Sequence, residues 1–154
     1  MRVALGADHA GFHLKEQLAE LLHEQGHEVF DVGAHEHDPA DDFPDFALAL
    51  AERVAAGDSD RGIMVCGSGV GASVAANKTV GVRAAVCHDS YSAHQGVEHD
   101  DMNVLCLGAR IVGLEVAKEL VANFLAAEFS GEERHWRRLQ KVTAIEDASL
   151  SRST

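Results

Sequence analysis

The chain has 154 residues, which suits a single domain, and 46% of them are hydrophobic, which is enough for a packed core. Its formal net charge of −12 disfavours nucleic acid and anionic membranes as main partners. No apolar stretch is long enough to span a bilayer, and the N-terminus lacks a signal-peptide layout, so we expect a cytoplasmic protein. The three cysteines form no CxxC pair and are expected to be reduced thiols.

Short apolar runs alternate with helical patterns along the chain. The first half predicts, in chain order, a strand at Arg2–Gly6, a helix at Phe12–Gln25, a strand at Glu28–Val32, a helix at Pro44–Ala56 and a strand at Gly62–Cys66. The second half predicts a helix at Gly71–Lys78, a strand at Val82–Cys87, a helix at Ser90–Glu98, a strand at Val104–Leu107, and helices at Leu114–Ala127 and Glu132–Ser149. This alternation predicts one α/β domain over residues 1–149, with a five-stranded parallel sheet, helices on both faces and a polar C-terminal helix. We expect residues 150–154 to form a frayed tail.

Parallel strands place their carboxyl ends at one edge of the sheet, where ligands bind in such folds. This rule predicts one neighbourhood for Asp8 and His9, the segment 66–71, and the segment that follows the fourth strand. Asp8 and His9 are candidates for handling sugar hydroxyls or a proton. The alternative makes Asp8 a helix N-cap and His9 an exposed loop residue.

The most informative segment is GIMVCGSGVGASVAANK, from Gly62 to Lys78. A buried strand ends at Cys66 and turns through alternate glycines into a helix, so several backbone N–H groups converge to bind a phosphate or a developing oxyanion. A thiolate there is able to abstract a proton from carbon or attack a carbonyl. The alternative is an inert core cysteine. The pattern is neither a P-loop nor a dinucleotide-binding fingerprint.

Two further groups of residues are candidates. His99 precedes the fifth strand, and on a loop folded over the site it would move a proton near neutral pH. The alternative is that His99 lies at the end of a helix, where the helix dipole favours a histidine. Arg110 follows the fifth strand, and a basic cluster near the C-terminus predicts a phosphate clamp. Its members are Arg134, His135, Arg137 and Arg138. The alternative for the cluster is a solvated helix face.

A run of histidines and aspartates lies between the second strand and the second helix. Its members are His35, His37, Asp38, Asp41 and Asp42. Their spacing matches no standard zinc or calcium pattern, so we predict a solvated acidic loop and no metal site.

Five segments occur together in a specific order. They are GADHAGFHLK, CGSGVGASVAANK, GVRAAVC, EHDDMNVLCLGARIVG and GEERHWRRLQKV. Together they closely resemble the ribose-5-phosphate isomerase type B family, which includes galactose-6-phosphate and allose-6-phosphate isomerases. The resemblance runs from about Arg2 to Glu146 and implies a Rossmann-like α/β/α sandwich.

The resemblance implies an aldose–ketose isomerase that needs neither metal nor nucleotide. Such an enzyme interconverts ribose 5-phosphate and ribulose 5-phosphate through a cis-enediol. By similarity, Cys66 is the base that moves the proton between C1 and C2, and His99 opens the furanose ring. Asp8 and His9 assist around the ring oxygen and the hydroxyls, and Ser68 helps to hold the enediolate.

The same resemblance implies which residues bind substrate. The turn contributes Gly67, Ser68, Gly69, Val70 and Gly71, Asp100 lies beside His99, and the phosphate is bound by Arg110, Arg134 and Arg138. The family also implies a homodimer or homotetramer whose sites use residues from both subunits of a dimer.

Two positions depart from the family pattern. Phe43 replaces a frequent tyrosine, and Asp100 replaces an asparagine that follows the histidine. They leave two alternatives open: an isomerase of allose 6-phosphate, galactose 6-phosphate or a tetrose phosphate, and a non-catalytic sugar-phosphate sensor. The presence of Cys66 and His99 speaks against a sensor, which needs no base.

Overall fold

The structure is a computed structural model and describes residues 1–151. Its strands are β1 (Arg2–Ala7), β2 (Glu28–Asp31), β3 (Arg61–Cys66), β4 (Ala84–Val86) and β5 (Val104–Gly108). Its helices are α1 (Phe12–Glu24), α2 (Phe43–Ala55), α3 (Val70–Ala76), α4 (Ser90–Asp100), α5 (Leu114–Ala126) and α6 (Glu133–Ser151). Each element begins and ends within two residues of its predicted bounds.

All five strands are parallel and lie in the order β2-β1-β3-β5-β4. The predicted α/β fold is therefore confirmed. The last strand in sequence, β5, lies between β3 and β4, with Cys106 paired to Met64 on one side and to Val86 on the other. Consequently β4 is an edge strand, β3 is the central strand, and β5 is an interior strand between β3 and β4.

Helices cover both faces of the sheet, which is why the strands read as nearly continuous apolar runs. On one face Ile63 and Leu105 belong to a core formed with α1, α4 and α5. On the other face Met64 and Cys106 belong to a core formed with α2 and α3. Since side chains alternate along a strand, Cys66 lies on the same face as Met64, beneath α3.

Helix α6 contacts α4 and buries His135 and Leu139. It extends to Ser151, two residues beyond its predicted end. Of the predicted tail, residues 152–154 lie outside the described residues. No helix within residues 1–151 is both long and apolar enough to cross a membrane.

Candidate active site

A cavity of about 320 Å³ lies at the carboxyl ends of β3 and β5. Small-molecule sites typically measure about 300–1,000 Å³, so it has room for a compact substrate. Its lining consists of Asp8, Phe43, Cys66, Gly67, Ser68, Gly71, Arg110 and Ile111. Residues that follow the first strand and residues that follow the third strand therefore lie together, as the sequence predicts. The segment after the fourth strand does not line this cavity, because β5 rather than β4 lies beside β3.

The thiol of Cys66 lies in the wall of the cavity, and its sulfur accepts a hydrogen bond from the backbone N–H of Gly69 at 3.1 Å. A thiolate accepts such a bond more strongly than a thiol does. The other two cysteines lack this setting. Burial raises the pKa of Cys87 to about 11 and also raises the pKa of Cys106, so both are protonated at neutral pH. Cys66 is therefore the cysteine placed for chemistry.

The turn after Cys66 depends on glycine at two positions. Gly69 has a φ of 81°, in the left-handed region, and a Cβ there would lie 3.1 Å from the backbone of Leu107. A Cβ on Gly71 would lie 2.7 Å from the ring of Phe43. The first glycine lets the chain turn against β5, and the second lets an aromatic ring from α2 close one side of the cavity.

Asp8 is buried at the cavity wall, and one carboxylate oxygen accepts a hydrogen bond from the backbone N–H of Gly11 at 3.1 Å. Gly11 is itself the N-cap of α1, and no side chain caps that helix. The predicted alternative, with Asp8 as the N-cap, is therefore wrong. Asp8 orders the turn that precedes α1 and presents a carboxylate to the cavity.

His9 is held by the carboxylate of Asp41. One Asp41 oxygen lies 2.6 Å from Nδ1 of His9 and accepts the backbone N–H of His9 at 3.0 Å. The hydrogen bond to Asp41 raises the pKa of His9; the charges of Asp8 and Asp41 raise it further, while desolvation and Arg110 oppose the shift. The protonated, cationic form of this imidazole is thus favoured.

Arg110 supplies a second cation. Its backbone N–H donates to the carbonyl of Gly67 at 3.1 Å, and its guanidinium packs on the backbone of the glycine turn. Arg110 lines the cavity, and His9 follows Asp8 of the cavity wall. In a chain of net charge −12, these two cationic side chains form a local site for an anion such as phosphate.

The comparisons with known proteins agree with this geometry. Residues 3–142 match the model of the Ribose/Galactose Isomerase family. The chain belongs to this family. It is 46% identical to ribose-5-phosphate isomerase B of Escherichia coli K12 over 94% of this chain and 96% of that protein. Among solved structures, the Clostridium thermocellum ribose-5-phosphate isomerase B aligns with a TM-score of 0.93 at 47% identity, covering 97% of this chain and 99% of that one.

A third relative was solved with a ligand. The ribose-5-phosphate isomerase B of Mycoplasma genitalium, with bound ribulose 5-phosphate, aligns with a TM-score of 0.90 at 39% identity, over 95% of this chain and 96% of that one. Membership of the Ribose/Galactose Isomerase family therefore rests on both sequence and fold, and it confirms the resemblance identified in the five segments.

Four predicted site residues of this family member lie elsewhere in the subunit. His99 is not on a loop but in the last turn of α4, where its ring stacks on His135 of α6. Asp100 and Arg138 line a separate cleft of about 720 Å³ between α6 and β4. Arg134 is exposed and bonded to Glu132 at 2.7 Å. None of the four lines the cavity at Cys66.

The structure changes the interpretation of two polar residues. The sequence predicts a solvated loop around Asp41, but its side chain is only 10% exposed because it packs against His9. The sequence places His135 in a basic cluster, but it is 1% exposed and burial lowers its pKa, which favours the neutral form. The polar sequence of the loop does not indicate the contact between Asp41 and His9. The burial of His135 arises only because α6 packs on α4.

Asp8, His9 and Asp41 are also the one group of histidine, cysteine and acidic side chains within residues 1–151 whose ligand atoms lie within 4.8 Å of one another. Within this group Asp41 contacts His9 at 2.6 Å, and Asp8 accepts the backbone N–H of Gly11.

Proposed function

We propose that this member of the family interconverts ribose 5-phosphate and ribulose 5-phosphate through a cis-enediol, with Cys66 as the base. One observation carries the proposal: the sulfur of Cys66 lies in the cavity wall, held by a backbone N–H of a glycine turn. Moving a proton between adjacent carbons needs one base that reaches both and donors that bind the enediolate oxygens. The turn of residues 67–71, with Ser68, supplies those donors.

The remaining residues of the cavity take the other parts of the substrate in this proposal. Asp8 contacts the sugar hydroxyls near the reacting carbons. His9 and Arg110 bind the phosphate, which contributes binding energy remote from the chemistry. Phe43 closes the cavity over Gly71, and with no hydroxyl on its ring the sugar loses one polar contact there.

A second subunit completes the site in this proposal. His99, which gives its proton to the ring oxygen, and the substrate-binding residues Asp100, Arg134 and Arg138 come from the partner of a homodimer, alone or within a homotetramer. Their location away from the Cys66 cavity supports this arrangement. Exposed apolar side chains next to the cavity also support it: Val70, Val74 and Ile111 are between 57% and 60% exposed.

The shared site predicts complementation between inactive variants. Cys66→Ala and His99→Ala each disable every site of their own dimers. After mixing and subunit exchange, half of the dimers are mixed, and one of the two sites in each is intact, so about a quarter of wild-type activity is expected. The measurement is the isomerase rate before and after exchange. Activity that stays at the level of the separate variants would show that each site lies within one subunit.

The His9–Asp41 contact predicts a pH-dependent effect on phosphate binding. Asp41→Asn removes the main group that raises the pKa of His9, so the imidazole loses its charge at a lower pH. We expect KM for ribose 5-phosphate, relative to wild type, to rise by up to about tenfold at pH 8 and by less at pH 6, because the wild-type imidazole keeps its charge to a higher pH than the variant does. Asp42→Asn is the matched control in the same loop. A ratio of KM values that is equal at both pH values would contradict this role.

The direct test of function is an NMR assay with purified protein. We expect conversion of ribose 5-phosphate that is fast and depends on Cys66. Allose 6-phosphate, galactose 6-phosphate and erythrose 4-phosphate are measured alongside. If one of these sugars is converted and ribose 5-phosphate is not, that sugar becomes the assigned substrate. Phe43 and Asp100 are then the candidates for the change in specificity. Binding of sugar phosphates without turnover would support a sensor.

A further inference from the structure

His135 is a buried neutral side chain that the proposed mechanism does not use. It lies in the first turn of α6 and is 1% exposed. Its Nδ1 lies 2.6 Å from the hydroxyl of Ser130, which also accepts the backbone N–H of Glu132 at 3.3 Å. The backbone N–H of Ser130 in turn donates to the carbonyl of Glu98 at 2.9 Å. The ring is therefore fixed relative to the end of α4.

The imidazole of His99 lies directly on this ring. The two ring centroids are 4.0 Å apart, with 26° between the planes. Nδ1 of His99 lies 2.8 Å from the side-chain amide of Gln95, one helical turn earlier. The side chain of His99 is 29% exposed. One face and Nδ1 of the His99 ring are thus held by the protein, while the rest of this ring faces outward.

The surroundings of His135 disfavour a proton on its ring. Desolvation lowers the pKa of His135 most; His99, Arg134 and Arg138 lower it further, and Glu132 alone opposes them. His99 has the carboxylate of Glu98 3.7 Å from its Nε2 and is partly open to water. The buried ring of His135 is therefore a neutral support, and the ring of His99 is the one that faces outward.

We propose that His135 is a positioning residue: its buried ring is the platform that orients the imidazole of His99. This inference rests on the proposed function, in which His99 opens the sugar ring. It assigns no contact between His135 and the substrate. Burial of a histidine behind a partly exposed one, with Ser130 fixing the inner ring, is the arrangement expected of a support and not of a phosphate ligand.

Two variants distinguish the stacking of the His135 ring on His99 from the hydrogen bond between His135 and Ser130. His135→Ala removes the stacked ring, and we expect the rate of ribose 5-phosphate conversion to fall between about 10- and 100-fold, as for other small misplacements of a reacting group. His135→Phe keeps a planar, uncharged ring, and we expect a rate within about threefold of wild type. Equal losses in the two variants, or none in either, would overturn the proposal.

A second readout isolates ring opening from the later proton transfer. Ribulose 5-phosphate carries its phosphate on the oxygen that would close a five-membered ring, so it stays open. Its C1 hydrogen exchanges for deuterium in D2O once Cys66 removes and returns a proton, with no ring step. We expect this exchange in His135→Ala to match wild type while aldose conversion falls. A parallel loss of both would mean that the substitution damages the whole site, contrary to the proposal.

The wild-type protein gives a third readout that does not depend on activity. In an NMR pH titration, the ring of His135 is expected to take up its proton at a lower pH than a histidine in a model peptide, because desolvation lowers its pKa. A His135 that takes up its proton at the model-peptide pH or above would overturn the proposal, even if the variants fail to fold. The proposed function fails separately, if wild type does not convert ribose 5-phosphate or if His99→Ala converts it at the wild-type rate.

Discussion

Replacement of Cys66 by alanine is expected to lower kcat for ribose 5-phosphate by about 1,000-fold, the contribution that a positioned base typically makes. The sulfur is the one cysteine sulfur that lines the cavity within residues 1–151, and removing it leaves Gly69 and the phosphate-binding residues in place. Binding of ribulose 5-phosphate should therefore change by no more than about threefold. Steady-state kinetics and calorimetric titration measure the two quantities.

Cys87→Ala is the matched control for this substitution. Cys87 is equally buried, but its thiol has a pKa raised to about 11 and does not line the cavity. We expect its loss to leave kcat unchanged within about twofold, since no step of the mechanism uses it. A wild-type rate in Cys66→Ala would assign the base to another residue. A loss of binding that matches the loss of rate would assign Cys66 to substrate binding.

The second large effect is on stability. The ammonium of Lys15 is fully buried and lies 2.6 Å from a carboxylate oxygen of Asp31, 2.9 Å from Glu16 and 2.7 Å from the carbonyl of Ala34. Lys15→Met removes three contacts at once: it leaves the buried carbonyl of Ala34 without its donor and the solvent-accessible carboxylates of Asp31 and Glu16 without their cation. We expect the free energy of unfolding to fall by about 1–3 kcal/mol, as when the partner of a buried polar group is removed. Urea denaturation measures it.

Lys118→Met is the corresponding exposed substitution. Lys118 forms its ion pair with Glu115 at 2.9 Å, at a position where both side chains reach solvent. Its removal should cost no more than about 1 kcal/mol. Similar losses for the two lysines would contradict the role assigned to Lys15. Since Lys15 also holds the backbone at Ala34, where the segment that leads to Asp41 begins, its loss should also weaken substrate binding.

The fold could be predicted from the sequence because its strands are buried on both faces and read as separate apolar runs. The same pattern places Asp8 and Cys66 at one edge, since the carboxyl ends of parallel strands meet there. The order of the strands could not be predicted in this way. No local feature of residues 104–108 indicates that they lie between β3 and β4. The segment after β4 nevertheless reaches the same edge of the sheet, where His88 accepts the backbone N–H of Gly108 at 2.9 Å.

The sequence pattern also does not predict the parts of the site that depend on packing between distant segments. The burial of Asp41 requires its loop to fold back on His9, 32 residues earlier in the chain. The neutrality of His135 requires α6 to pack on α4, because the same residue on an exposed helix would be one more basic side chain. The position of His99 at the end of a helix, by contrast, is the alternative that the sequence pattern already offered, since α4 extends two residues past its predicted end.

The position of β5 between β3 and β4 has a consequence for synthesis on the ribosome. When residues 1–100 have emerged, β4 has no strand to pair with, and β3 presents an open hydrogen-bonding edge. Neither edge is closed until the segment Val104–Gly108 leaves the exit tunnel and inserts between them. A nascent chain stalled before that point therefore offers two unsatisfied sheet edges to its neighbours, and we expect it to need a chaperone that the full-length chain does not.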